Sequence, residues 1–207
     1  GREDARERAR TIARRDGVGR ANAMRVRASA DDAMRVKKLQ NGSDIRGVAL
    51  DGVEGEAITL DAATASAIGR AFADWLRARN PNAKDISVGV GRDPRLSGET
   101  LRDGMFAGMV EGGARVIDMG LATTPACFMA CVTEGAKYDG SVMLTASHLP
   151  FNRNGMKFFT SEGGLDKPDI TDICARAAAY VEAGVGSVTA PSGCLLYTSD
   201  AADDSQC

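Results

Sequence analysis

The segment TASHLPFNRNG (145–155) sets Ser147 beside His148, the only histidine in the chain, directly after the apolar run VML. A serine hydroxyl is a weak nucleophile until a base or a metal activates it. Two chemistries could use the pair. In a serine hydrolase His148 would be the general base for Ser147. Adjacent residues seldom point the same way, however, and the G-x-S-x-G elbow is missing. In a phosphotransfer enzyme Ser147 would hold a phosphoryl group. Its charge of about −1.5 to −2 would have to be balanced by cations and a divalent metal.

The chain offers such cations in three places. GRDPRLSG (91–98) carries Arg92 and Arg95 around Asp93, NGSDIRG (41–47) carries Arg46, and Lys157 follows the serine loop by one strand. Arginine presents a planar donor fork suited to phosphate or carboxylate. Taken singly, each has a plainer reading. Arg92 and Asp93 could brace their own loop, Arg46 could sit in a surface salt bridge, and His148 could be a satisfied surface side chain in a capped turn. The glycine loop is no dinucleotide fingerprint, since Pro94 stands where G-x-G-x-x-G needs glycine, and no P-loop is present.

These loops need elements to hold them. IRGVAL (45–50), ISVGVG (86–91), ARVIDMG (114–120), SVMLTA (141–146) and GMKFFT (155–160) read as strands. Between and after them, helical periodicity runs over 61–79, 98–111, a segment capped by Thr124 with Pro125 at its first position, and 168–184. Asp61 and Ser97 are expected caps. Gly104, Gly108 and Gly112 form a stripe that would let another element approach closely. The alternation predicts an α/β fold with three layers, a mixed and mostly parallel sheet with helices on both faces. In such sheets ligands sit beyond the strands' carboxyl ends. GRDPRLSG, GLATTP (120–125) and TASHLPFNRNG all fall there.

Composition narrows the rest. With 43% hydrophobic and 26% charged residues among 207, the chain is of ordinary globular type. No apolar run is long enough to span a membrane, and no signal-peptide core is visible. Residues 1–37 hold ten Arg and one Lys against six acids, so a formal charge of −2 hides a basic arm on an acidic body. That arm makes a nucleic-acid-binding module a third alternative. It lacks an aromatic residue for base stacking, so nucleic acid is not the expected partner. Five cysteines make no disulfide framework. Cys127 and Cys131 are expected to be buried small apolar side chains, and zinc is not expected. The tail GCLLYTSDAADDSQC resembles translated read-through of a library adapter. The organisation expected is a disordered leader (1–38), one domain (39–192) and a non-native tail (193–207), the natural protein continuing past 192.

Taken together, NGSDIRG, VGVGRDPRLSG, TTP (123–125) and above all TASHLPFNRNGMKFF (145–159) resemble the N-terminal domain of the alpha-D-phosphohexomutases, the phosphoglucomutase/phosphomannomutase family. The similarity covers roughly 39–190. One departure stands out: the family's serine loop is usually TASHNP, and Leu149 replaces the Asn. The resemblance implies that Ser147 is a phosphoserine exchanging its group with a hexose phosphate through a bisphosphate intermediate. It implies that Arg46 and Lys157 move protons and steady the transferring group, and that His148 supports the site. Arg92, Asp93 and Asn154 would support the loop. Mg2+ would bind the Ser147 phosphate, its remaining ligands coming from a DxDxD-type loop of a second domain that this sequence lacks, and hexose 1,6-bisphosphate would be the activator. The expected partners are a glucose or mannose phosphate and the later domains of the same chain, without a membrane. The expected compartment is the cytoplasm, or the plastid stroma if the leader is a transit-peptide remnant. A domain alone is expected to be inactive.

Overall fold

The structure is a computed structural model that describes residues 30–184 and the pair Tyr197–Thr198. A helix over 30–38 (α1) leads into β1 (Gln40–Asn41) and β2 (Asp44–Val48). There follow α2 (Ala62–Arg79), β3 (Ile86–Arg92), α3 (Gly98–Glu111), β4 (Ala114–Leu121), α4 (Thr124–Val132) and β5 (Gly140–Leu144). The chain continues through β6 (Arg153–Thr160), β7 (Gly163–Gly164), α5 (Lys167–Glu182) and β8 (Tyr197–Thr198). The strand order is β1-β2-β6-β5-β3-β4-β8, with β7 on β6.

The sheet is mixed but less parallel than the alternation of elements predicts: among the described strand pairs three are parallel and four antiparallel. β3 runs parallel to β4 and β5, because a helix or a long connection intervenes each time. β6 is antiparallel to both β5 and β2. Residues 145–152 between β5 and β6 are too few for a parallel crossover, which needs a dozen or more, so the chain turns back alongside β5. That turn is the serine loop.

Period-two alternation sorts the strands onto two faces. Val88, Val90, Val142, Leu144, Met156 and Phe158 point into one core with α2, α3 and α5. On the opposite face lie Gly89, Gly91 and Ser141. A Cβ at Gly91 would meet the Cys127 sulfur at 2.8 Å, which is how closely α4 approaches. Cys127 and Cys131 are buried there, and the Ser141 hydroxyl donates to the Cys127 carbonyl (2.5 Å). Burial pushes the Cys127 thiol up to about 12, so it behaves as an inert apolar side chain.

Asp61 caps α2 through Thr64 N (2.8 Å), and Asp166 with Asp169 forms a capping box on α5. Two expected caps differ. Thr123 rather than Thr124 caps α4. Ser97 makes no cap on α3, because its hydroxyl accepts from the Asn154 amide (2.9 Å). The glycine stripe of α3 does allow close approach: a Cβ at Gly104 or Gly108 would overlap the Ala62 or Ser66 carbonyl oxygen of α2.

Residues 30–38 correct the expected leader. Ala33, Val36 and Leu39 recur at helical spacing and are buried in the main core, so this stretch belongs to the domain. Its apolar stripe is masked in the sequence by the arginines before it. The rest of the expected leader, and the expected tail apart from Tyr197–Thr198, lie outside the described residues. Tyr197–Thr198 pairs in parallel with Ile117 and Asp118 of β4. Among the described residues no helix is long and apolar enough to cross a membrane.

Candidate active site

β3 and β5 end side by side, with Arg92 opposite Leu144, so the loops that follow them meet. The Asp93 amide donates to the Leu144 carbonyl (3.0 Å) and fastens the junction. Arg95 then reaches into the curve of the serine loop. Its Nη1 donates to the carbonyls of Pro150 (2.8 Å) and Arg153 (3.0 Å), and its Nη2 to those of Ser147 (2.9 Å) and Leu149 (2.8 Å). Nε donates to Asp93 (3.2 Å), which uses the last of the five guanidinium N–H groups. Asp93 also accepts from the Thr145 hydroxyl (2.7 Å), whose oxygen accepts the Ser147 amide (2.9 Å).

The frame holds Ser147 at φ 57°, a left-handed conformation that non-glycine residues seldom adopt. Such strain persists only where the surroundings over-determine it. Here the bonds to the Ser147 amide and carbonyl do so. The side chain is left exposed at the sheet's rim, with the His148 Nδ1 at 3.5 Å from its Oγ. Among the described residues no carboxylate pairs with His148, so the third member of a hydrolytic triad is missing.

A second group stands on β2 and β6. Ile45 faces Met156 and Arg46 faces Gly155, which sets Asp44 across from Lys157 on the same face as Arg46. The Lys157 ammonium donates to both Asp44 oxygens (2.8 and 2.7 Å). Arg46 donates to Asp44 Oδ2 from Nε (3.3 Å) and Nη2 (2.9 Å), and from Nη1 to the Ala146 carbonyl (3.2 Å). Arg46 thus ties the cation group to the residue before Ser147. Its side chain lies across Gly155, where a Cβ would meet Arg46 Cγ at 3.1 Å.

Of the residues singled out from sequence, Ser147, His148 and Asp93 belong to the serine loop and its frame, while Arg46 and Lys157 meet at Asp44 and reach that loop through the Arg46 bond to the Ala146 carbonyl. Asn154 is buried behind the loop, between Ser97 and the Gly155 amide. Arg92 is the correction. It pairs with Glu99 (2.8 Å) beside the start of α3, and Arg95 takes the bracing role instead. Asp44 and Thr145 escaped the sequence reading. For Asp44 a signal existed, since residues two apart on a strand share a face.

The model of the family described as phosphoglucomutase/phosphomannomutase, alpha/beta/alpha domain I, matches residues 37–183. The chain belongs to the phosphoglucomutase/phosphomannomutase family. It is 38% identical over 148 residues to the phosphoglucosamine mutase of Symbiobacterium thermophilum, covering 70% of this chain and 32% of that protein. The phosphoglucosamine mutase of Kineococcus radiotolerans is 40% identical over 135 residues, covering 65% and 29%. Among solved structures, a phosphoglucomutase/phosphomannomutase family protein from Burkholderia thailandensis superposes with a TM-score of 0.57 at 31% identity, covering 69% of this chain and 30% of that one. The chain therefore spans about a third of the length of the relatives it matches.

For a member of this family, the departure at Leu149 is mild in its effect on the frame. Leu149 enters the loop through its backbone, by its amide to the Ala146 carbonyl (3.1 Å) and its carbonyl from Arg95. Magnesium does not find a complete site here. Among the described residues no three acidic, histidine or cysteine side chains converge, and Asp93 and Asp44 are already engaged by cations.

The far side of the serine loop is clasped by Glu56, which accepts from Asn152 Nδ2 (2.7 Å) and Arg153 Nη2 (2.6 Å). The Asn152 bond, then Arg153, holds the Glu56 carboxyl below its ordinary range. A carboxyl depressed in the folded state stabilises fully above its unfolded pKa, and that contribution is lost as pH falls through the folded value. Glu56→Gln is therefore expected to lose stability against the parent at pH 7. The gap should close as pH drops below the ordinary carboxylate range, read as urea midpoints. A gap independent of pH would show that the clasp carries no charge effect.

Proposed function

We propose that Ser147 is the phosphoryl carrier of a phosphohexomutase that interconverts hexose 1-phosphates and hexose 6-phosphates. The observation that carries this reading is the exposed Ser147 hydroxyl, on a residue held at a strained φ by the Arg95–Asp93–Thr145 frame, with Arg46 bonded to the preceding Ala146 carbonyl. A hydrolase would need a base oriented by a third group. A phosphoryl carrier needs a fixed oxygen and nearby positive charge, because phosphoryl transfer depends chiefly on positioning and charge stabilisation.

In the forward half-reaction the bond between phosphorus and Ser147 Oγ breaks as a bond to a sugar hydroxyl oxygen forms. The proton of that hydroxyl is delivered to Ser147 Oγ, Arg46 and Lys157 helping to move it and His148, whose Nδ1 is 3.5 Å from that oxygen, supporting the site. The bisphosphosugar turns round and returns its other phosphate by the reverse step. Arg46 and Lys157 supply N–H donors to the transferring oxygens, and Asp93 and Asn154 keep the loop in place. Magnesium, bound through the Ser147 phosphate, would neutralise charge on the phosphoryl oxygens when present. Its other ligands, and the groups that select the sugar, would come from beyond this domain, and hexose 1,6-bisphosphate would prime the serine. The relatives' names add glucosamine phosphate to glucose and mannose phosphates as substrate.

The test is a fusion of this chain to the part of the Symbiobacterium phosphoglucosamine mutase that follows its own matching segment. After incubation with glucose 1,6-bisphosphate and magnesium, mass spectrometry should place one phosphate on Ser147, and none after Ser147→Ala. An active fusion that never carries phosphate on Ser147 would end the proposal.

A further inference from the structure

Asp44 is the carboxylate on which both cations of the site converge. Its side chain is only 13% exposed, and it holds Lys157 by two bonds and Arg46 by two more. A carboxylate with so little water must be paired to stay charged. The converse matters more for function. Lys157 and Arg46 are long, rotamer-rich side chains, and without a fixed partner their ends would sample many positions. Lys157 gives Asp44 two of its three donors, and Arg46 gives Asp44 and Ala146 three of its five, so each keeps N–H groups in hand.

The geometry points to Asp44 as a positioning residue: it locks Lys157 and Arg46 into one cation clamp beside the Ser147 loop and competes with an incoming phosphate for their donors. This rests on the phosphoryl-carrier reading for its purpose, though not for its measurement. Removing the carboxylate has two opposite consequences. Lys157 is freed, and the local positive charge rises by one. A side chain of merely structural importance would free Lys157 without strengthening the hold on phosphate.

The readout is the acylation rate of Lys157 in this chain at fixed pH, measured by peptide mass spectrometry, with the exposed Lys84 and Lys167 as references. Asp44→Asn is expected to raise the Lys157 rate about tenfold, because the two charge-assisted bonds that withhold the amine from the reagent give way to at most one neutral bond. Inorganic phosphate should then protect Lys157 at several-fold lower concentration than in the parent. Asp44→Glu, which restores the charge, should return the Lys157 rate and the phosphate requirement most of the way to the parent's. A Lys157 rate within twofold of the parent in a folded Asp44→Asn chain overturns the proposal, and so does phosphate protection that is unchanged or weaker. Should Asp44→Asn not fold, Arg46→Gln decides. It leaves Lys157 the whole carboxylate, so the Lys157 rate must stay at the parent's, and a threefold rise in rate overturns the clamp. Ser147→Ala separates the two ideas. It abolishes phosphoryl transfer and must leave Lys157 labelling as in the parent.

Discussion

Arg95→Met should lower the stability of the domain by about 3 kcal/mol, a fall in melting temperature of roughly 6–12 °C for a chain of this size. The reason lies in what is stranded. Arg95 is 13% and Asp93 18% exposed, so removing the guanidinium leaves a largely buried carboxylate without its cation. Four loop carbonyls lose their donor at once. The methionine keeps the bulk of the stem, which confines the loss to charge and hydrogen bonds. Arg95→Lys should fare little better, because an ammonium has three donors at one point and cannot span carbonyls from Ser147 to Arg153. The effect on function should exceed the effect on fold. Ser147 is held at φ 57° by this frame, and a relaxed loop returns it to an ordinary conformation with its hydroxyl re-aimed. In the fusion described above, phosphate on Ser147 should fall at least tenfold in Arg95→Lys, even at temperatures where the variant is fully folded. Full phosphorylation of a folded Arg95→Lys protein would mean that the frame does not set the serine.

The Arg92 and Arg95 outcome shows where local pattern stops being informative. Both flank Asp93, and both suit a phosphate-adjacent role by type. Arg92 is the last residue of β3, so the pleat commits its side chain to one face, and that face leads to Glu99. Arg95 lies past the strand end and is free to turn toward the serine loop. The same limit hid Asp44. Its bond to Lys157 joins residues 113 apart in sequence, and only the antiparallel return of β6 beside β2 creates it. Elements with strong periodic faces, such as α2 and α5, could be read from sequence with bounds nearly as found. So could the serine loop, because its turn residues and chemistry coincide in one short stretch. Ser97 departs from expectation for the opposite reason: a good capping residue is drawn into a tertiary bond with Asn154. Helix 30–38 was lost because a short apolar stripe follows a long run of charge.

Gly108→Ala is expected to destabilise the domain by about 2 kcal/mol or more, against the sign that helix propensity gives. Alanine inside a helix is favoured over glycine by about 1 kcal/mol. At Gly108 of α3 the new Cβ would overlap the Ser66 carbonyl oxygen of α2 and lie 2.9 Å from the Arg70 amide nitrogen. These are backbone atoms and cannot rotate aside, so one helix must move. Overpacking of this kind costs about 1–3 kcal/mol, and more where backbone is displaced. Ala175→Gly, at an exposed position of α5, isolates the propensity term and should cost about 1 kcal/mol. Urea midpoints for both variants check the pair. A Gly108→Ala chain more stable than its parent would show that the helices have room to spare. The displacement also has a route to the site. α3 begins at Gly98, directly after Ser97, whose hydroxyl holds Asn154 behind the serine loop. Moving α3 off α2 pulls on that bond, so Gly108→Ala should lower Ser147 phosphorylation in the fusion, while Ala175→Gly leaves it unchanged.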